Sequence, residues 1–316
     1  MPIDRDLHID VPLSNLAIKA FQGSADYVGS MLFPQVPVGK QSDKYYTISK
    51  NQWLRVPTTL RAKKTAARRI EFDVSSDSYY ANNYACAGEN ALEDLANADN
   101  ALMLRENTTA NVTDVLLRDM EVRIANLVTS ISNVGSGVAL TGTNKFSDYV
   151  NSDPISAINT GHAFIENNTG LTANTLLLDK DTLRILRRHP VILDLFKFTA
   201  GGVVNDQQLK EVFSVETILV GRGVKNNALE GATASITNIW GNNLLLARVV
   251  PGVSLQTQTF GLSFRWRPEG IPSDMQVYRA VEAAAGQRKV EIVEAGYYQT
   301  ENVVAAQLCY ALTGTL

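Results

Sequence analysis

His162 and Glu166 stand four residues apart, the spacing at which two side chains share a helix face and could hold one metal ion. No second histidine follows the glutamate, so the HExxH pattern of a zinc hydrolase is absent, and a plain polar pair on a helix face is the simpler reading. His8 and His189 have no partner nearby in sequence, and three histidines in 316 residues leave few general bases. The glycines of GSGVALTGT (135–143) lack the Lys-Ser/Thr pair of a phosphate loop and the third glycine of a dinucleotide fingerprint. They read as a loop between two structural units. No GxSxG nucleophile elbow is present. Cys86 has no second cysteine near it, and Cys309 sits in an apolar run as a small hydrophobe. Two cysteines are too few for a disulfide framework, so reduced thiols are expected. Trp53, Trp240 and Trp266 suit packing or interface anchoring better than ligand stacking. The expectation is therefore no catalytic residue, no metal ligand and no cofactor site.

One cluster remains. Arg61, Lys63, Lys64, Arg68 and Arg69 form a basic run with no acid among them. The chemistry of such a run is recognition of acidic groups. The alternative is a solvated loop tip.

The elements around this run say where it stands. YYTISKNQWLRV and RRIEFDVSSDSYY are rich in aromatic and β-branched residues, and Ile70, Phe72 and Val74 alternate with Arg69, Glu71 and Asp73. The pattern predicts a long two-stranded hairpin over 45–86, with TTLRAKKTAARR between its strands. A lone hairpin is marginal in water, so its apolar face needs a partner, expected to be a neighbouring molecule. Residues 1–44 read as an extended arm with one short helix over Asn15 to Gln22 capped by Ser14, and the two prolines of LFPQVPVGK forbid helix there.

Val112, Leu116, Met120, Ile124, Leu127 and Ile131 form one apolar stripe at spacings of four or three. They predict a helix over 97–131, capped by Asp99 or Asn100 and about 45 Å long, a strut rather than a core element. Residues 146–259 read as a compact α/β unit. Asp153-Pro154 opens a helix that ends near Gly170, NTLLLD and VETILVG are buried strands, Asp179 or Asp181 and Asn205 are further caps, and ITNIW and LLLARVV are two more strands. Residues 260–316 return to period-two alternation, as in Leu262, Phe264 and Trp266 against Ser263, Arg265 and Arg267. These strands need a second layer, and the long helix is the obvious one.

The net charge of −3 argues against a dedicated nucleic-acid binder, although a mildly acidic wall is compatible with enclosing DNA that must slide. MPIDRDLHIDV has no apolar segment of signal-peptide type, and no apolar run reaches the length of a membrane span, so no membrane partner is expected.

Arm, hairpin, long helix, α/β unit and returning strands occur in an order that resembles the tailed-bacteriophage major capsid family, the Hong Kong ninety-seven-like fold. The resemblance is carried by LFPQVPVGKQSDKYY, INTGHAF, TLLLDKDTLRILRRHP and LKEVFSVETILVG. It implies an α+β phage major capsid fold: an N-terminal arm (1–44), an extended β-hairpin or E-loop (45–86), a peripheral domain with its spine helix (87–145 and 260–316) and an α/β axial domain (146–259). It implies a structural protein that self-assembles as pentamers and hexamers into an icosahedral head around double-stranded DNA, without sequence-specific binding.

The chain lacks a long helical N-terminal extension, so the resemblance also implies a separate scaffolding protein or prior cleavage. A portal, decoration or cement proteins, and assembly in the host cytoplasm belong to the same set of implications, with the virion capsid as the final location. Inter-subunit contact falls on Trp53, Arg61, Lys63, Lys64, Arg68 and Arg69. Some family members cross-link a hairpin lysine to a neighbour's asparagine; Lys63 and Lys64 are the positions for it here, and the sequence identifies no partner. The competing readings are an encapsulin-like cellular shell protein and an enzyme built on the α/β unit.

Overall fold

The computed structural model describes residues 8–9, 27–48, 54–56, 58–67, 69, 74–97, 101–197, 204–229, 231–252, 258–269, 275–283 and 289–316. The expected helix over Asn15 to Gln22, the caps at Asp99 and Asn100, and the alternation at Ile70 and Phe72 lie outside them.

Two main sheets organise the chain. In order, the strands are β1 (His8–Ile9), β2 (Gln35–Val38), β3 (Ser42–Ile48), β4 (Val74–Tyr80), β5 (Asn82–Ala91), β6 (Ser136–Ala139), β7 (Thr175–Asp179), β8 (Thr217–Gly221), β9 (Val224–Asn226), β10 (Ile236–Asn238), β11 (Asn243–Ala247), β12 (Gly261–Trp266), β13 (Gln276–Ala283), β14 (Lys289–Val303) and β15 (Cys309–Thr313). The first sheet is built on β14. One edge of β14 pairs antiparallel with β5, and the other takes β13 along its first half and β12 along its second. β2 adds in parallel to β12, and β1 adds to β13. The second sheet has the order β6-β15-β11-β7-β8.

The long helix runs over Ala101–Thr129, with a short helix over Leu92–Asn97 before it. Twenty-nine residues span about 44 Å. Val112, Leu116, Met120 and Ile124 are buried as the stripe predicted, and Leu127 is half-buried. Ile131 falls beyond the helix end and is exposed, and Val128 takes its place in the core. Val112 and Leu116 pack on Val277, Val293, Ala295 and Tyr297 of the first sheet, so the helix is the covering layer of those strands.

Two ion-pair clusters fasten this layer. Arg105 donates to both oxygens of the buried Glu291 at 2.9–3.1 Å, and Arg279 joins at 3.3 Å. Farther along, Arg123 lies 3.6 Å over the Tyr84 ring and donates to Glu301 at 3.0 Å and to the Tyr297 hydroxyl at 3.2 Å. Buried pairs of this kind fix geometry more than they stabilise, because desolvation offsets most of the Coulomb gain.

The α/β unit follows its predicted punctuation closely. The Asp153 carboxylate accepts from the amides of Ile155 and Ser156, Pro154 takes the first helical position, and Gly170 closes the helix at φ 70°. Asp179 caps Lys180–Leu186, Pro190 opens Pro190–Leu195, and Asn205 forms a capping box with Gln208 on Asp206–Val212.

Four expectations are corrected. GSGVALTGT is not only a loop: Ser136–Ala139 forms β6, parallel to β15. The C-terminal strand belongs to the second sheet rather than to the first, because Cys309, Tyr310, Ala311 and Leu312 are buried on both faces and suit a central strand between β11 and β6. The hairpin strands end at Tyr80, and Asn82–Ala91 turns away to pair with β14, so 82–86 belong to the first sheet. The arm does not lie wholly outside the chain: Leu32 and Phe33 are fully buried in its core, and 35–38 complete the first sheet.

Candidate inter-subunit contact site

The hairpin β3–β4 has a root and a tip with opposite properties. At the root, Ser42 faces Tyr80 and Ile48 faces Val74 in an antiparallel register. Tyr79 stacks on Phe264 of β12 with ring centroids 4.7 Å apart, and Tyr45 lies 5.1 Å from the same ring. Leu262, Val36 and Val38 complete this apolar cluster. The Tyr79 hydroxyl donates to the Lys40 carbonyl at 3.1 Å, and Gln41 Nε2 donates to that of Ala81 at 3.1 Å. The Tyr45 hydroxyl donates to Asp77, and burial together with that carboxylate pushes its pKa up to about 12. The partner of this part of the hairpin is thus the same chain's sheet, and not the neighbouring molecule that the sequence led us to expect.

The tip has no such support. Leu54, Val56 and Leu60 are 59%, 92% and 93% exposed. Among them stand Arg61, Lys63, Lys64 and Arg69, all exposed and without an ion-pair partner among the described residues. A tight turn brings Thr65 back to Ala62, whose carbonyl accepts from the Thr65 amide and hydroxyl at 3.3 and 2.8 Å. Lys64 sits in that turn at φ 66°, uncommon for a side-chain-bearing residue. Trp53 and Arg68 lie outside the described residues.

The alternation of Leu262, Phe264 and Trp266 with Ser263, Arg265 and Arg267 predicted one wet face. Both faces are covered instead. Phe264 lies under the hairpin root, while Arg265 is 3% exposed on the long-helix side. It donates to Gln299 Oε1 at 2.6 Å and rests 4.5 Å from the Tyr297 ring centre. A guanidinium can be buried this way because its donors and its flat face are both used.

The other singled-out residues go to structural roles. His162 Nε2 lies 2.8 Å from the Phe213 carbonyl, and Glu166 is exposed, so they form no joint site. His189 is fully buried, 3.0 Å from the Ser152 hydroxyl, and burial lowers its pKa. Cys309 is buried, which pushes its thiol well up, and Cys86 is half-buried. Trp240 is buried, and Trp266 meets Tyr298 edge-on. Among the described residues, no three His, Cys, Asp or Glu side chains gather to hold a metal, and no helix is long and apolar enough to cross a membrane.

One residue was passed over. Glu121 lies in the middle of the long helix and is fully buried. Its signal was present: it continues the row of Leu117, Ala125 and Val128 on an apolar face, where a carboxylate demands donors from outside the helix.

No protein-family model matches the chain. It is 29% identical over 310 residues to the major capsid protein of Pseudomonas phage JBD67, covering 94% of this chain and 98% of that one. It is 27% identical over 244 residues to the major capsid protein of Burkholderia phage BcepMu, covering 76% of each. Among solved structures, a phage-related protein from Bordetella bronchiseptica RB50 superimposes with a TM-score of 0.74 at 22% identity, over 98% of this chain and 99% of that one. The capsid structure of cyanophage P-SCSP1u gives a TM-score of 0.60 at 9% identity, over 89% and 86%. In sequence and in fold, over most of its length, the chain is a homologue of phage major capsid proteins and carries the Hong Kong ninety-seven-like capsid fold.

Proposed function

We propose that this chain is the structural subunit of an icosahedral tailed-phage head, assembling as pentamers and hexamers around double-stranded DNA. Its work is assembly and not catalysis. Residues 1–44 act as the arm, the β3–β4 hairpin as the E-loop, the long helix with the first sheet as the peripheral domain, and the α/β unit, with β6 and β15 added, as the axial domain. A separate scaffolding protein and a portal serve assembly in the host cytoplasm, decoration proteins complete the partner set, and the virion capsid is the final location.

The observation that carries this reading is the hairpin tip. Its root is anchored in the chain's own sheet, yet Leu54, Val56 and Leu60 stand in solvent beside four exposed cations. Exposed apolar groups rimmed by charge mark an interaction surface. The side of the first sheet away from the long helix offers chemistry of the opposite sign, with exposed Glu89 and Glu294 among small residues such as Ala85 and Ala87. Rim ion pairs contribute about 0–1 kcal/mol each, so they set register while the apolar groups supply affinity.

Electron microscopy of the purified protein, with and without a scaffolding partner, tests the proposal. Closed shells are the expected result, and a strictly monomeric particle under all those conditions rejects it. Deletion of 57–68 should leave the fold intact and prevent stable shells; normal shells from that deletion would remove the E-loop assignment.

A further inference from the structure

The fully buried Glu121 carboxylate receives hydrogen bonds from three places. The backbone amide of Val28 donates to Oε1 at 3.0 Å, and that of Gly29 donates to Oε2 at 2.7 Å. Trp240 Nε1 donates to Oε1 at 2.5 Å. These donors belong to two separate parts of the chain that both lie on the long helix. Val28 and Gly29 start the segment that leads into β2, and Trp240 follows β10 in the α/β unit.

The surroundings are shaped to this meeting. A Cβ on Gly29 would stand 2.7 Å from Glu121 Oε2 and 2.8 Å from Ile124, so the backbone approaches as closely as it does only because residue 29 has no side chain. A Cβ on Gly221 would stand 2.1 Å from the Trp240 ring, so that ring too is seated against bare backbone. On one side, Tyr27 donates to Asp114 of the long helix at 2.7 Å. On the other, Phe33 packs against Phe260, with ring centroids 5.6 Å apart. Residues 27–33 thus form a strap across the helix, with its middle on the carboxylate.

Burial pushes the Glu121 carboxyl above its ordinary range, and the hydrogen bonds from Trp240, Val28 and Gly29 oppose that push. A charge in such a place is tolerable only while its donors are present. Each donor therefore depends on the others. If Trp240 withdraws, the buried carboxylate is left under-bonded and less favourable as a charge, and the two strap amides then hold a weaker acceptor.

We infer that Glu121 is a positioning residue that couples the strap 27–33 to the α/β unit, so that loosening either contact loosens the other. It goes beyond the shell reading and does not depend on it, because it concerns one chain.

Hydrogen–deuterium exchange on the full-length unassembled chain tests it. Glu121→Gln retains the shape and loses the charge and one acceptor oxygen. It should speed exchange at 27–33 and around 236–243 by about tenfold to a hundredfold, the loss of one or two buried charge-assisted bonds. Trp240→Phe removes only the indole donor, whose hydrogen bond goes to Glu121 Oε1 and not to an atom of the strap. It should still speed exchange at 27–33 by about tenfold, while β7 and β11 stay protected. Unchanged exchange at 27–33 in Trp240→Phe overturns the coupling, whatever happens near position 240. If Glu121→Gln does not fold, Trp240→Phe decides alone.

Discussion

The two main sheets of this chain are held in different ways. In the second sheet, Leu176, Leu177 and Leu178 of β7 and Leu244, Leu245 and Leu246 of β11 are all buried, and β15 is buried beside them. Dispersion and the hydrophobic effect suffice there, and the unit is complete in one chain. The first sheet buries one side under the long helix through Arg105–Glu291 and Arg123–Glu301, and Phe264 under the hairpin root. Beyond that it presents an open side and an unsupported tip. One region is a closed core; the other leaves exposed surface, which we propose serves contact between subunits.

Four changes would break or sharpen this contrast. The largest loss of stability is expected from Leu246→Ala, at the centre of the second sheet: about 2–5 kcal/mol from lost burial and a cavity. Urea unfolding of the unassembled chain measures it, and a loss under about 1 kcal/mol would mean that the leucine core is not the main support.

Arg105→Ala removes a bidentate partner of the buried Glu291 and leaves it, among the described residues, the Arg279 ion pair. About 1–3 kcal/mol should be lost in the same titration, less than for the leucine because Arg279 remains. An equal or greater loss would show that the charged layer is as much a core as the apolar one.

A smaller effect comes from pH. Burial lowers the His189 pKa in the folded chain below its ordinary value of 6.5. Just below that value, the unfolded chain takes up a proton that the folded chain refuses, so stability falls as pH falls and levels off below the folded pKa. His189→Gln should flatten this part of a stability-against-pH curve, and an unaltered slope would assign the dependence elsewhere.

The smallest effect on the fold is expected at the tip. Lys63→Glu with Lys64→Glu should change stability by under about 0.5 kcal/mol, since both side chains are exposed. Shell assembly followed by light scattering should nevertheless fail or slow markedly. Unimpaired assembly would detach the basic run from the interface.

Much of this contrast was legible beforehand. The caps at Asp153, Asp179 and Asn205 announced their helices because capping is local: a side chain bonds an amide two or three residues on. The stripe through Val112, Leu116, Met120 and Ile124 announced the long helix and its buried face. The basic run at 61–69 was visible as composition. The burial of Arg265 was not, since an arginine in an alternating strand reads as solvent-facing unless Gln299 and Tyr297 are known to await it. The partner of the hairpin root was also hidden, because nothing in Tyr45 or Tyr79 names Phe264 as its stacking ring.

The amino-acid sequence by itself determined the long helix, the hairpin root and the capped helices of the α/β unit, in their order, because periodicity and capping act over a few residues. The tertiary structure alone decided which sheet the C-terminal strand enters, where the arm ends and the core begins, and what surrounds Glu121. Those outcomes join residues more than 60 positions apart, as Ala247 and Cys309, Gly29 and Glu121, or Trp240 and Glu121 are joined. A contact of that reach is set by packing of the whole chain, and no local pattern encodes it.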